Sequence, residues 1–405
     1  MKNHFLKNRL PNNHINLATL SILAWILQKR FPTPLQNLIN TPLQRGGRRS
    51  GKMGNRFNGF SRSVETVKTV SNPCRSIITP LKRGVNGKEA AGRGALLATF
   101  RLLAFALLLP VAAEAKLNVV ATTPDLGALA KEIGGDKIEL TTLARPTEDP
   151  HFVDAKPSFV VKLRKADVLI EGGAELEIGW LPPLLENARN AKLETSAPGH
   201  VAASQGIQLL EVPATLDRSK GDIHAAGNPH YLIDPLNAKI VAQHICDSFC
   251  QIDAKSCETY RANLKKFTGE LDAKLVAWQK LLAPYQGQHV VAYHNSWPYF
   301  GERFGLKIDL FLEPKPGIPP TPGHLAEVQS KIKEESVRVI IVDPHLNRRT
   351  AESVARNTGT TVLDVTQFPG GVKGTEGGYI QMLDYLVTSV AKALAGQTNG
   401  AAATR

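Results

Sequence analysis

The chain has 405 residues, with 49 Lys and Arg against 36 Asp and Glu, 42% hydrophobic residues, 33 Gly, 26 Pro and 4 Cys. That is two or three domains' worth of chain, and its ordinary apolar and charged content excludes collagen, wholesale disorder, a polytopic membrane protein and a disulfide-built miniprotein. The net charge of +13 is carried by residues 1–115, which hold 18 basic and 3 acidic side chains; the rest of the chain sums to −2, which argues against a nucleic-acid partner.

Residues 1–84 are rich in Asn and Arg, show no sustained helical or strand period, and are read as a non-native or disordered N-terminal extension. Residues 85–115 read as a signal peptide. An 11-residue apolar run, Leu102 to Ala112, follows Lys82, Arg83, Lys88, Arg93 and Arg101 and ends in Ala113-Glu114-Ala115, a small-x-small cleavage pattern. The run is too short to cross a bilayer, which takes about 20 apolar residues. No Cys follows it closely, so no site for a lipid anchor is evident, and the mature protein is expected from Lys116, free in the periplasm or secreted.

From there short β-rich runs alternate with helical stretches, the pattern of an α/β fold with parallel strands. Strands are predicted over 117–122, 137–144 and 167–171, with helices over 124–133, 156–165 and 177–190, the last broken or bent at Pro182-Pro183. Near residue 290 the plan restarts: Val290-Val-Ala-Tyr293 echoes Val119-Val-Ala-Thr122, and Gly305 to Leu310 echoes Gly135 to Leu140, at an offset of about 170 residues. A buried strand is predicted over 337–342. Two similar lobes follow, an N-terminal one over 116–255 and a C-terminal one over 286–396. Between them, over 256–285, Tyr260, Leu264, Phe267, Leu271, Leu275, Trp278 and Leu282 recur at the spacing of one helix face, giving a linking helix of about 40 Å. A final helix is predicted over 379–394, after a Gly-rich loop from Pro369 to Gly378, and 397–405 is read as a disordered tail.

Nine of the eleven histidines lie beyond residue 115. Three occupy loop or strand-end positions: His151 in Asp149-Pro-His, His230 in Asn228-Pro-His, and His294 directly after the strand at 290–293. In open α/β sheets ligands gather beyond the carboxyl ends of the strands, and neutral imidazole is a common metal ligand that suits zinc. Three such residues at equivalent ends of two lobes point to a shared metal centre.

These motifs, with Tyr293-His294-Asn-Ser-Trp-Pro-Tyr-Phe300 and Phe304-Gly-Leu306, resemble the zinc- and manganese-binding solute-binding proteins of ABC transporters, the periplasmic metal-binding proteins of cluster A-I. The resemblance covers essentially all of residues 116–396. It implies two Rossmann-like lobes joined by a rigid helix, with a metal held in the cleft by His151 and His230 from the first lobe and His294 from the second. It also implies a fourth ligand, a carboxylate after the last strand of the second lobe. Asp364 is the best match; Asp343, Glu376 or a water are the alternatives. Three imidazoles and one carboxylate favour Zn²⁺, with Mn²⁺ as runner-up. The implied function is capture of the ion and delivery to a membrane permease driven by a cytoplasmic ATPase, by a monomer that is not an enzyme.

The loop from Ala191 to Asn228 adds His200 and His224, of which His224 is the candidate for collecting metal near His230. His244, His289, His324 and His345 have structural explanations. Cys246 or Cys250 is expected to pair with Cys257, since a three-cysteine zinc site would lack a fourth ligand. The rival readings are a secreted zinc-dependent hydrolase and a surface adhesin with a structural metal. The hydrolase lacks a His-Glu-x-x-His helix and a Gly-x-Ser-x-Gly elbow.

Overall fold

The computed structural model describes residues 115–215, 221 and 224–396. All of these residues lie in one compact unit, Leu97–Arg405, of the two into which the chain divides. The extension read over 1–84, the signal peptide up to residue 114 and the tail over 397–405 lie outside the described residues.

The first lobe runs β1 (Leu117–Ala121), α1 (Pro124–Gly134), β2 (Ile138–Thr142), α2 (Pro157–Lys165), β3 (Val168–Glu171), α3 (Leu181–Ala188), β4 (His200–Ala202) and α4 (Pro235–Ile252). Its four strands are parallel, in the order β2-β1-β3-β4. After α5 (Cys257–Leu282) the second lobe runs β5 (His289–Ala292), α6 (Pro298–Phe304), β6 (Lys307–Phe311), α7 (Pro322–Glu334), β7 (Val339–Val342), α8 (Arg348–Thr358), β8 (Thr361–Asp364) and α9 (Tyr379–Leu394). Its parallel order, β6-β5-β7-β8, repeats that of the first sheet. The predicted α/β class with two similar lobes is borne out. The central strands are apolar on both faces, as parallel strands covered by helices must be: all four residues of β7 are buried.

The helix starts follow from local chemistry. Proline sits in the first turn of α1, α2, α3, α4, α6 and α7, where its missing N–H removes no helical bond. Asp234, Thr321 and Asn347 cap α4, α7 and α8 by accepting a first-turn N–H. Pro182-Pro183 therefore does not break a helix over 177–190. It opens a shorter one at Leu181, and residues 174–180 form turns instead.

Helix α5 has 26 residues, about 39 Å at 1.5 Å per residue. Tyr260, Phe267, Leu271, Leu275, Trp278 and Leu282 are buried, as its period predicts, and it packs on α1, α4 and α9. Polar bonds fasten both ends of the run: Asn263 Nδ2 donates to the Ile133 carbonyl of α1 at 2.9 Å, and Lys274 Nζ and Trp278 Nε1 reach Asp384 of α9 at 2.7 and 3.0 Å. A disulfide joins Cys250, in the last turn of α4, to Cys257, the first residue of α5, which decides between the two pairings left open by the sequence; Cys246 is a buried free thiol. Among the described residues no helix is long and apolar enough to cross a membrane.

Candidate metal centre

His151 and His230 are mounted on the same local device. In Asp149-Pro150-His151 the Asp149 Oδ1 accepts the His151 backbone N–H at 2.9 Å; in Asn228-Pro229-His230 the Asn228 Oδ1 accepts that of His230 at 3.0 Å. Each is a turn closed by its own first side chain, with a proline that fixes the middle φ. Trp180 Nε1 donates to the Pro150 carbonyl at 2.9 Å and holds the first turn against the lobe. Gly227, at φ 117°, lets the chain before the second turn approach the Leu210 carbonyl, which a Cβ would meet at 2.7 Å.

His294 follows β5 in the second lobe. Its Nδ1 is bonded to Glu313 Oε2 at 2.7 Å, so Nε2 is the nitrogen left to face the other two rings. The three histidines offer donor atoms that all lie within 4.8 Å of one another, and the ring centroids of His294 stand 5.9 Å from His151 and 5.6 Å from His230. The Nε2 atoms of His151 and His230 are 3.2 Å apart. Two nitrogens held at about 2.0–2.1 Å by one tetrahedral zinc stand about 3.3 Å apart, so this pair already has the spacing of a shared ion.

The electrostatics fit cation binding. Burial first, then the neighbouring imidazoles, push the pKa of His151 and His230 well below the ordinary histidine value, which keeps both rings neutral and able to ligate. Burial also opposes a charge on His294, but the Glu313 bond and charge, with Asp149 and Asp343, outweigh it and raise its pKa.

Three of the four expected ligands are thus brought together; Asp364 is not. Leu363 is buried, so the next residue of the strand points the other way, and the half-exposed Asp364 carboxylate pairs with Arg348 of α8. Glu376 is exposed and accepts the Gly374 N–H of its own loop at 2.8 Å. Asp343, which follows β7, is 3% exposed; Gln367 Nε2 reaches its Oδ1 at 3.4 Å and its Oδ2 has no hydrogen-bond partner. Burial raises its pKa, while His345 and His294 act in the opposite direction.

His224 stacks on His151, ring centroids 5.0 Å apart and 22° between planes. It lines a cavity of about 290 Å³ with Glu211, Asn228, His230, His294 and Asn295. His200 lies elsewhere, on β4, with Nε2 2.9 Å from Glu171. The sequence did not single out Glu313, Gln367 or Glu211, and Asn295 stood out only as a member of the Tyr293–Phe300 motif. Only the Glu-Pro-Lys-Pro-Gly turn after β6, a charged residue at a strand end beside the expected cleft, could have pointed to Glu313.

The family profile described as ZnuA, zinc-uptake complex component A, periplasmic, matches residues 119–393. The chain belongs to the ZnuA family. The manganese ABC transporter substrate-binding lipoprotein PsaA of Streptococcus pneumoniae is 27% identical over 289 residues, 69% of this chain and 90% of PsaA. The iron ABC transporter substrate-binding lipoprotein MtsA of Streptococcus pyogenes is 27% identical over 311 residues, 75% of this chain and 97% of MtsA. In fold the chain is similar to a crystal structure of ZnuA, with a TM-score of 0.58 and 21% identity over 69% of this chain and 99% of that one. It is also similar to a manganese-bound periplasmic metal-binding protein from Candidatus Liberibacter asiaticus, with a TM-score of 0.57 and 19% identity over the same shares. The resemblance read from the three histidine motifs is borne out, and the ZnuA family consists of substrate-binding components of transporters.

Proposed function

We propose that this protein captures Zn²⁺ outside the cytoplasmic membrane and delivers it to the permease of an ABC transporter, with His151, His230 and His294 as ligands. The observation that carries the reading is the convergence of three imidazoles from two lobes, two of them neutral by burial and already at the spacing of a shared ion. Three nitrogen donors favour zinc over manganese, which prefers more oxygen. The ion is cargo, and no chemical step is needed. Manganese and iron stand in the names of PsaA and MtsA, so Mn²⁺ is the competing ion to compare.

For the carboxylate of the site we take Asp343 over Asp364, since Asp343 is buried with one free oxygen while Asp364 is engaged by Arg348. The chain works as a monomer, and its partners are the permease and the ATPase that drives it. The leader before Lys116 and the lack of a cysteine close behind it support a free periplasmic form, unlike the lipoproteins PsaA and MtsA.

Titration calorimetry on the metal-stripped protein tests the reading. One zinc per chain is expected, bound more tightly than manganese and lost in His294→Ala. Unchanged zinc binding in that variant would place the ion elsewhere and reject this function for the cleft.

A further inference from the structure

Glu211 sits in the loop that leads to the second histidine turn, and its backbone is left-handed, φ 55°, a conformation uncommon for a residue with a Cβ. One of its carboxylate oxygens, Oε2, accepts two amide N–H bonds: from Asn228 Nδ2 at 2.9 Å and from Asn295 Nδ2 at 2.8 Å. Those two residues are not ordinary neighbours. Asn228 closes the turn that carries His230, and Asn295 directly follows His294 in the other lobe. Asn228 Nδ2 also donates to the Asn295 carbonyl at 2.9 Å, and the Tyr299 hydroxyl, from α6, donates to the Asn228 carbonyl at 2.7 Å while accepting the Leu210 N–H at 2.9 Å.

We propose that Glu211 is a positioning residue, an interlobe latch whose single carboxylate oxygen holds the His230 turn and the His294 loop in ligating register and so sets the rate at which the ion leaves. This rests on the metal-capture reading given above. The physical reason is the direction of the bonds. Both asparagines donate to the same acceptor oxygen, so separating the two ligating loops must break at least one of these hydrogen bonds. Glu211 itself is exposed and stands in the wall of the cavity that His230 and His294 line. The left-handed φ is consistent with a side chain held in place by its partners rather than by its own backbone preference.

The test is the release of Co²⁺, as a visible-absorbing probe, and of Zn²⁺ from the purified protein into excess chelator, for wild type, Glu211→Ala, Glu211→Gln and Asn295→Asp. Circular dichroism and melting temperature are recorded beside each. Glu211→Ala is expected to release the ion about tenfold faster or more and to change the Co²⁺ absorption bands, the usual scale for losing a residue that orients a metal ligand. Glutamine keeps an acceptor oxygen and should stay within about threefold of wild type, whereas Asn295→Asp removes the donor and sets carboxylate against carboxylate and should match the alanine variant. Release and spectrum unchanged in Glu211→Ala would overturn the latch. Equal losses in the alanine and glutamine variants would also overturn it, since charge alone would then be at work. Failure of the wild type to bind either ion would reject the metal-capture reading itself, an outcome distinct from both.

Discussion

The Nε2 atoms of His151 and His230 lie 3.2 Å apart although 79 residues separate them in the chain. One Nε2–H can donate to the other Nε2, but both rings cannot carry a proton there together, and burial already disfavours the charge on each. Replacing either with alanine is expected to weaken zinc binding by about 100-fold or more while leaving the fold intact, since second-sphere losses alone cost about 10–100-fold. Competition against a chromophoric chelator, with circular dichroism on the same samples, measures both.

Glu313 should matter nearly as much as a ligand. Its Oε2 bonds His294 Nδ1 at 2.7 Å and also accepts the Gly317 N–H at 3.1 Å, so it aims the ring and ties the turn behind it. Glu313→Ala is expected to lose about 10–100-fold in zinc affinity and Glu313→Gln, which can still accept from the ring, clearly less. Equal affinities for wild type and the alanine variant would remove Glu313 from the site.

Asp343 and Asp364 separate cleanly by experiment. Asp364→Asn removes a surface pair with Arg348, whose two partners are 51% and 36% exposed, so it should cost at most about 1 kcal/mol of stability and leave zinc affinity unchanged. Asp343→Asn should lower zinc affinity measurably. Calorimetry on the two variants decides, and a reversed result would restore Asp364 as the carboxylate of the site.

Stability should depend on pH through two carboxyl groups that the metal does not touch. Burial raises Glu177 from 4.5 to about 7 and Asp125 from 3.8 to about 6, against hydrogen bonds from Thr122 and Thr123 that act the other way. A raised acid favours the folded state when protonated. Its stabilisation is full below the unfolded value and is lost as pH rises through the folded one, so unfolding free energy should fall between about pH 4 and 7. The effect is of the order of 3 kcal/mol per group. Urea titrations at pH 5 and 8 test this on metal-free protein, and Glu177→Gln should flatten the difference.

Reduction of the Cys250–Cys257 bond should lower stability by about 2–3 kcal/mol, the loop-entropy scale for a closure this short, without changing zinc stoichiometry. Denaturant titration with and without reductant provides the comparison.

What could be read in the sequence was what depends on neighbours in the chain. The apolar runs at 117–121 and 339–342 and the face of α5 follow from period alone, and the three histidines stood out because each occupies a strand end or a proline turn. The Pro182-Pro183 pair was misread because proline both ends helices and opens them, and only the turns before Leu181 show which. Position at a strand end does not tell which side of the sheet a side chain takes, so the sequence could not show that Asp364 pairs with Arg348 while Leu363 is buried. Glu211 could not be found at all, since its partners lie 17 and 84 residues away and no periodicity links them.

The two turns that carry His151 and His230 close on themselves, each through its own Asp or Asn. The His151 turn is held within its own lobe by Trp180, whereas the His230 turn also bonds Asn295 and Tyr299 of the second lobe. His294 is aimed by Glu313, also of the second lobe. On the proposed capture reading, two rings stand on matching turns of one lobe and the third on the other, so departure of His294 alone would open the triad.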